Sequence, residues 1–303
     1  VVLTDPARQT ITLQTSSGSI VTTYGGIGTH AVWAPDSQSV YITTGTATTQ
    51  GSNTVFTPTN QALVYSSFTG WTSVTNPAPA SDVTLTVPSV GAYFAGPTTV
   101  GHTYCSVTNA STVNGTTSTT NTFYPVADTA TVTTDRIAAT NNGRHILGAT
   151  VTPIPTLNDL QVTLPSGACP LSGSPTFSSV PSPTILTGVN ASSITGVWPT
   201  SDSSVAFVTY TGSGGVLPAY TPAASGAGQT TYIKLSGTAT APISGVESSD
   251  NATFYVGTSG DNLVHLITRS TLTDSSTVAP KLTDGNGNLV PVNMLAQKPR
   301  KTT

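Results

Sequence analysis

FYVGTSGDNLVHLI, residues 254–267, is two apolar runs around a short polar turn, and units of the same kind return along the chain. With the strand before it, the unit GVESSDNATFYVGTSGD at 245–261 is repeated by AVWAPDSQSVYITTG at 31–45 and GVWPTSDSSVAFVTY at 196–210, and IAATNNGRHILGATV at 137–151 follows it more loosely. Val32 and Val40, Ile137 and His145, Val197 and Val205, and Val246 and Phe254 are each eight residues apart, with Asp, Asn, Ser or Gly filling the gap. Phe94 and His102 offer a further pair with this spacing. Two antiparallel strands around a tight turn require this pattern.

The clearest copy, 196–237, continues through VLPAYTP and TYIKLSG, which makes four short strands in one repeat. Four-stranded sheets repeated along a chain are the signature of a propeller blade. The expectation is therefore an all-β fold, a β-propeller of six or seven four-stranded blades in a single domain over 1–303. Five blades are internally complete, at about 24–77, 81–134, 135–195, 196–243 and 244–290. VVLTD, RQTITLQT and SIVTTY at the start lack an inner partner, and VNMLAQKPR (292–300) reads as a lone innermost strand. Joined, they form a closing blade shared by N- and C-terminal strands. TVFTPTNQALVYSS (54–67) shows the hairpin spacing as well and keeps a seventh blade open. Apolar residues recur nowhere at three- and four-residue spacing over three turns, and 28 Gly and 22 Pro would interrupt a helix.

Charged residues are only 7% of the chain and the net charge is -3, against about 25% charged in an ordinary domain. Hydroxyls take their place: 60 Thr and 35 Ser supply most of the polar surface, and β-branched Thr favours strands. A sparsely charged, weakly acidic chain has no basic stripe to neutralise phosphates, so nucleic acid is not an expected partner. The longest apolar runs fall short of the roughly 18 residues of a membrane span, and the sequence shows no signal peptide. A hydroxyl-rich, Lys-poor composition points to an extracellular or cell-surface location. There Cys105 and Cys169 are expected to form a disulfide, with two buried thiols as the alternative. In the chain-entropy view, closing that loop stabilises by roughly 4 kcal/mol.

Tyr255, Val256, Thr258, Gly260, Asp261, Asn262 and Val264 carry a resemblance to the Tyr-Val-Thr-Asn repeat of bacterial extracellular, lactonase-like β-propeller proteins. In that repeat a tyrosine-valine strand is followed by a Gly-Asp-Asn turn and an apolar strand. The chain departs from it at Gly257, where the family usually has Thr, and SVYITTG and SVAFVTYTG match only the second strand. The resemblance implies secretion and a seven-bladed or related propeller, and it extends to lactonases on the same scaffold. Fold analogy alone does not transfer an activity.

The sequence has no Gly-x-Ser-x-Gly elbow, phosphate-binding glycine pattern, His-Glu-x-x-His or Cys-x-x-Cys. His30, His102, His145 and His265 fall in four blades and read as hydrogen-bonded strand histidines. Glu247, the sole glutamate, shares its repeat position with Trp33 and Trp198. It reads as structural or solvated, with a lone axial carboxylate as the alternative. Asp135, Arg136, Arg144 and His145 concentrate polar groups in DRIAATNNGRH, which a charge pair and a hairpin turn explain. TDGNGN (283–288) spaces Asp284, Asn286 and Asn288 like a calcium loop, but Leu295 stands where the bidentate Glu belongs, so a glycine-rich turn is expected. KPRK (298–301) guards an edge, and Asn109, Asn114, Asn190 and Asn251 head glycosylation triplets.

No catalytic residue, metal or cofactor is expected. The functional expectation is a non-catalytic extracellular structural or adhesive module whose closing strand comes from its own chain or, as the alternative, from a neighbour, which would join copies into a filament; surface glycan is a further candidate partner. The alternative is a lactonase-like hydrolase, or a glycan- or small-molecule-binding propeller.

Overall fold

A computed structural model describes all residues except 35–38, 51–52, 68, 77–78, 86–91, 96–103, 126–131, 164–175, 180–182, 281 and 297–303. His102, Cys169 and the 298–301 tail lie outside the described residues. The described residues contain strands and no helix. In chain order they are β1 (Val2–Asp5), β2 (Thr10–Gln14), β3 (Ile20–Gly25), β4 (Ile27–Trp33), β5 (Ser39–Gln50), β6 (Asn53–Ser66), β7 (Gly70–Thr75), β8 (Asp82–Leu85), β9 (Ala92–Ala95), β10 (Tyr104–Val113), β11 (Thr116–Pro125), β12 (Arg136–Ala139), β13 (His145–Thr150), β14 (Thr156–Thr163), β15 (Thr176–Ser179), β16 (Thr184–Ile185), β17 (Asn190–Pro199), β18 (Ala206–Ser213), β19 (Val216–Thr221), β20 (Gln229–Lys234), β21 (Ala241–Glu247), β22 (Thr253–Ser259), β23 (Val264–Thr268) and β24 (Thr273–Val278).

These form seven sheets, and three of them are four-stranded and run in chain order: β4–β7, β17–β20 and β21–β24. Their pairing is antiparallel throughout. The first hairpins form where the eight-residue spacing placed them, but the residues of those pairs are not opposite each other: Val32 faces Tyr41, Val197 faces Val208, Val246 faces Tyr255 and Ile137 faces Gly148. A further sheet holds β12 to β16, with β16 paired to β14. The segment 54–67 departs from expectation. It is not a hairpin: residues 54–66 lie in the single strand β6, which pairs with β5 on both sides of a register shift, so the alternation there belongs to one long strand.

The chain divides into two compact units, residues Val1–Thr134 with Val162–Phe177 and residues Asp135–Gln161 with Ser178–Thr303. In the second, successive residues of β18 enter different cores: Val208 and Tyr210 pack with Leu147, Leu157 and Tyr220, whereas Phe207 packs with Leu217, Phe254 and Ile267. Alternation across a pleated strand gives one side chain to each face, so β17–β20 is buried on both sides. Phe207 and Phe254 stack across the second interface, centroids 4.1 Å apart. The first unit repeats the scheme. Val40, Ile42 and Leu63 pack with Ile11 and Leu13, while Tyr41, Ala62 and Val64 face Val83 and Phe94. Each unit is thus a stack of sheets with a doubly covered four-stranded sheet in the middle, which is the packing of neighbouring propeller blades.

The shared closing blade is not present among the described residues. The sheet β1–β2–β3 has three strands, and residues 291–296 carry no strand. Val292 is buried, and its carbonyl accepts a hydrogen bond from the Ser244 hydroxyl on β21.

Candidate functional site

In the second unit one device closes the first hairpin of three consecutive sheets. Thr140, Thr200 and Ser248 each give their hydroxyl to an Asx side chain two residues on, at 2.7 Å to Asn142, 2.7 Å to Asp202 and 2.6 Å to Asp250. The same hydroxyls accept the backbone N–H five residues on, from His145, Val205 and Thr253. The residue after the Asx, Gly143, Ser203 or Asn251, adopts positive φ. Small polar side chains are therefore needed at fixed places: a hydroxyl, an Asx, and a residue that tolerates the left-handed region. The Tyr-Val-like copy uses a variant between its second and third strands. The Asp261 carboxylate receives the Thr258 hydroxyl and the Leu263 N–H, while Gly260 and Asn262 supply positive φ.

Neighbouring turns are tied side by side. Asn141 Nδ2 donates to the Ser201 carbonyl at 2.8 Å, the Ser201 N–H donates to Glu247 at 2.8 Å, and Glu247 meets Arg269 at 2.9 Å. Arg269 donates from Nη2 to both Asp202 oxygens at 2.8 Å and from Nη1 to the Asn251 carbonyl at 2.6 Å. Burial alone would raise the Asp202 carboxyl, but hydrogen bonds from Arg269, Thr200 and Ser204 outweigh it and hold the group far below the usual carboxylate range. A depression of about 400 Å³ opens beside this belt, lined by Asp202, Ser204, Asn251, Thr268 and Arg269 among others. Glu247 is thus not a solitary carboxylate. It occupies the position of Trp33 and Trp198 in the hairpin register and is consumed by Arg269 and a backbone amide.

Each described histidine meets a buried aspartate. His30 Nε2 lies 3.0 Å from Asp82, and His145 Nδ1 lies 2.8 Å from Asp159. His265 is fully buried between two carboxylates, with Nδ1 2.7 Å from Asp274 and Nε2 2.9 Å from Asp261. Asp274 also accepts the Ser236 N–H at 2.7 Å. Asp159 receives the Tyr220 hydroxyl from the adjacent sheet at 2.8 Å, and burial followed by this carboxylate raises the Tyr220 phenol. Burial also pushes the Tyr210 phenol up to about 12, against the opposing effect of its bond to the Val216 carbonyl. Burial would raise Asp261, yet Thr258, His265 and Leu263 together lower it.

The other sequence candidates divide. Asp135 accepts the Val151 N–H and its carbonyl receives Arg136, while Arg144 is exposed, so DRIAATNNGRH is a hairpin turn rather than a converging site. Asp284 caps its own loop through Asn286 and Asn288, and the bonds from Asn288 lower its carboxyl. Cys105 lies on β10 opposite Tyr124, and the bridge to Cys169 involves a residue outside the described ones. Asp159, Asp202, Tyr220, Arg269 and Asp274 were not singled out from the sequence. Their partners lie on other strands or in neighbouring sheets, and only Asp261, four residues before His265, stands at a legible spacing. Among the described residues, no group of three or more His, Cys, Asp or Glu is arranged to hold a metal ion.

No family model and no curated protein matches the chain. Solved structures do. A functionally unknown protein from Desulfotomaculum acetoxidans shares 14% identity at a TM-score of 0.59, over 95% of this chain and 82% of its own. The β-propeller domain of Cps50 (Swd1) from Myceliophteria thermophila shares 10% at 0.52, over 93% and 87%. Hydrazine synthase from Kuenenia stuttgartiensis shares 11% at 0.54, over 86% and 70%. At such identities the likeness is one of fold, and it places the chain among all-β, propeller-like proteins.

Proposed function

We propose that this protein is a non-catalytic structural or adhesive module of the cell surface or extracellular space, built as a single propeller of six or seven blades. In this reading it belongs with the Tyr-Val-Thr-Asn-repeat surface proteins, carries a Cys105–Cys169 bridge, and self-associates through its terminal segments into a filament. The observation that carries the reading is where the ionisable side chains point. A hydrolase needs groups free to move protons or to hold a substrate's charge. Here His145 and His265, Asp159, Asp202, Asp261 and Asp274, Glu247 and Arg269 are bound to one another or to backbone amides. They tie turns and sheets together. The hydroxyl-rich surface, meanwhile, offers neutral donors and acceptors that suit contact with other chains or with surface glycan.

The test is purification from native material, negative-stain imaging, and a lactone hydrolysis screen with metal analysis. Beaded fibres with no turnover support the proposal. Stoichiometric metal with turnover lost on chelation would replace it with the lactonase reading.

A further inference from the structure

The depression beside the turn belt of the second unit lies between two neighbouring sheets. The β17–β18 turn brings Asp202 and Ser204 to it, the β21–β22 turn brings Asn251 and Ala252, and the loop after β23 brings Arg269 and Ser270. Its volume of about 400 Å³ falls within the roughly 300–1,000 Å³ of small-molecule sites. Its polar groups divide sharply into engaged and free.

Arg269 is engaged throughout. Nη1 and Nη2 are taken by Glu247, Asn251, Asp202 and Ser204, and Nε is buried. Two carboxylates face this one guanidinium, so an anionic ligand meets excess negative charge and no available donor from it. Asp202 is engaged on one side. Oδ1 receives Thr200, the Ser204 N–H, the Ser204 hydroxyl and Arg269, whereas Oδ2 receives Arg269 alone. With the side chain 49% exposed, Oδ2 has room for a further donor. Because the carboxyl is held far below its usual range, it remains an acceptor in mildly acid solution. Asn251 and Ser270 are exposed, and among the described residues their side chains have no hydrogen-bond partner. Val205 and Ala252 add apolar surface.

A charged acceptor, an amide and a hydroxyl that each donate and accept, and an apolar patch together complement a ring that carries adjacent hydroxyls and a C–H face. An ammonium group would find only an Asp202 charge that Arg269 already matches at 2.8 Å. Taking the adhesive reading above one step further, we infer that this depression binds a neutral pyranose of a glycan chain, with Asp202 Oδ2 accepting from a ring hydroxyl and Asn251 and Ser270 completing the contact. Arg269 ties the walls together before any ligand arrives, which limits the ordering cost of binding. The lining residues include no aromatic ring, so a single site is weak, and repetition of the site along an assembly raises affinity through avidity.

The test titrates the full chain with the methyl glycosides of glucose, galactose, mannose and N-acetylglucosamine, followed by saturation-transfer NMR, with glucuronic acid and glucosamine as charged counterparts. At least one neutral glycoside is expected to bind, and both charged sugars are expected to bind more weakly than it does. Asn251→Gly keeps the positive φ of the turn and removes the amide, and Ser270→Ala removes an exposed hydroxyl. Each should weaken binding about fivefold, the effect of one hydrogen bond, while Thr112→Ala in the other unit leaves it unchanged. Binding of no neutral glycoside would overturn the inference. So would a preference for either charged sugar, or undiminished binding by both Asn251→Gly and Ser270→Ala. Fibres without glycoside binding would overturn the site and leave the structural reading intact, whereas binding by single discs would support the site and remove the filament.

Discussion

The hairpin joining β22 to β23 turns within four residues, closed by the Asp261 carboxylate. The one joining β5 to β6 continues for five further paired positions, Thr46–Gln50 with Asn53–Thr57, where only the two strands pair with each other and Val55 and Phe56 are exposed. The β10–β11 ribbon of the first unit is similar, ten pairs long with Thr112 and Thr117 hydroxyls bonded across it at 3.0 Å. In the second unit, polar side chains are buried partners that couple strands and sheets. In the first, many are exposed hydroxyls on ribbons that can be lengthened or trimmed without touching a core. Local stability follows the density of buried, mutually dependent contacts, so the two units should respond unequally to comparable substitutions.

The largest difference is expected at the histidines. His265→Ala leaves Asp261 and Asp274 facing each other in the interior, and removing one partner of a buried charge cluster costs about 3–5 kcal/mol. His30→Ala should cost less, about 1–2 kcal/mol, because its ring is far more exposed and water can reach the space it leaves beside the buried Asp82. Urea midpoints measure both, and equal losses would erase the contrast. Phe254→Ala, which empties the stack with Phe207, should lower stability by about 3–5 kcal/mol on the same assay.

Acid provides a sharper cut. Because Asp202 and Asp261 are held below their usual range in the folded state, the stability they contribute is present above about pH 4 and is lost as pH falls through their folded values. Arg269→Met should therefore flatten part of that acid dependence, and an unaltered profile would show that the belt adds nothing. Thr200→Ala removes the turn hydroxyl and should cost about 1 kcal/mol. Thr112→Ala on the ribbon should stay within about 0.5 kcal/mol.

The hairpins themselves were legible because apolar runs and turn residues lie close together in sequence, but their exact registers were not. GVWPTSDSSVAFVTY is the case in point: its turn is where expected, while Val197 faces Val208 rather than Val205. The 54–67 segment misled because alternation has the same period whether a strand turns back or runs on, and only the length of β5 opposite it decides. The site residues were hidden for a different reason. Asp159 reaches Tyr220 across 61 positions and Asp202 reaches Arg269 across 67, distances at which a single sequence carries no periodic signal. Glu247 drew attention as the one glutamate, but its meaning depended on an arginine 22 residues on, in the loop after β23.

Hydroxyl pairs across strands, such as Thr44 with Thr59 at 2.6 Å and Thr29 with Thr43 at 2.8 Å, are neutral contacts. Counter-ions screen charges and leave such bonds nearly untouched. Bonds of this kind keep their strength from dilute water to brine.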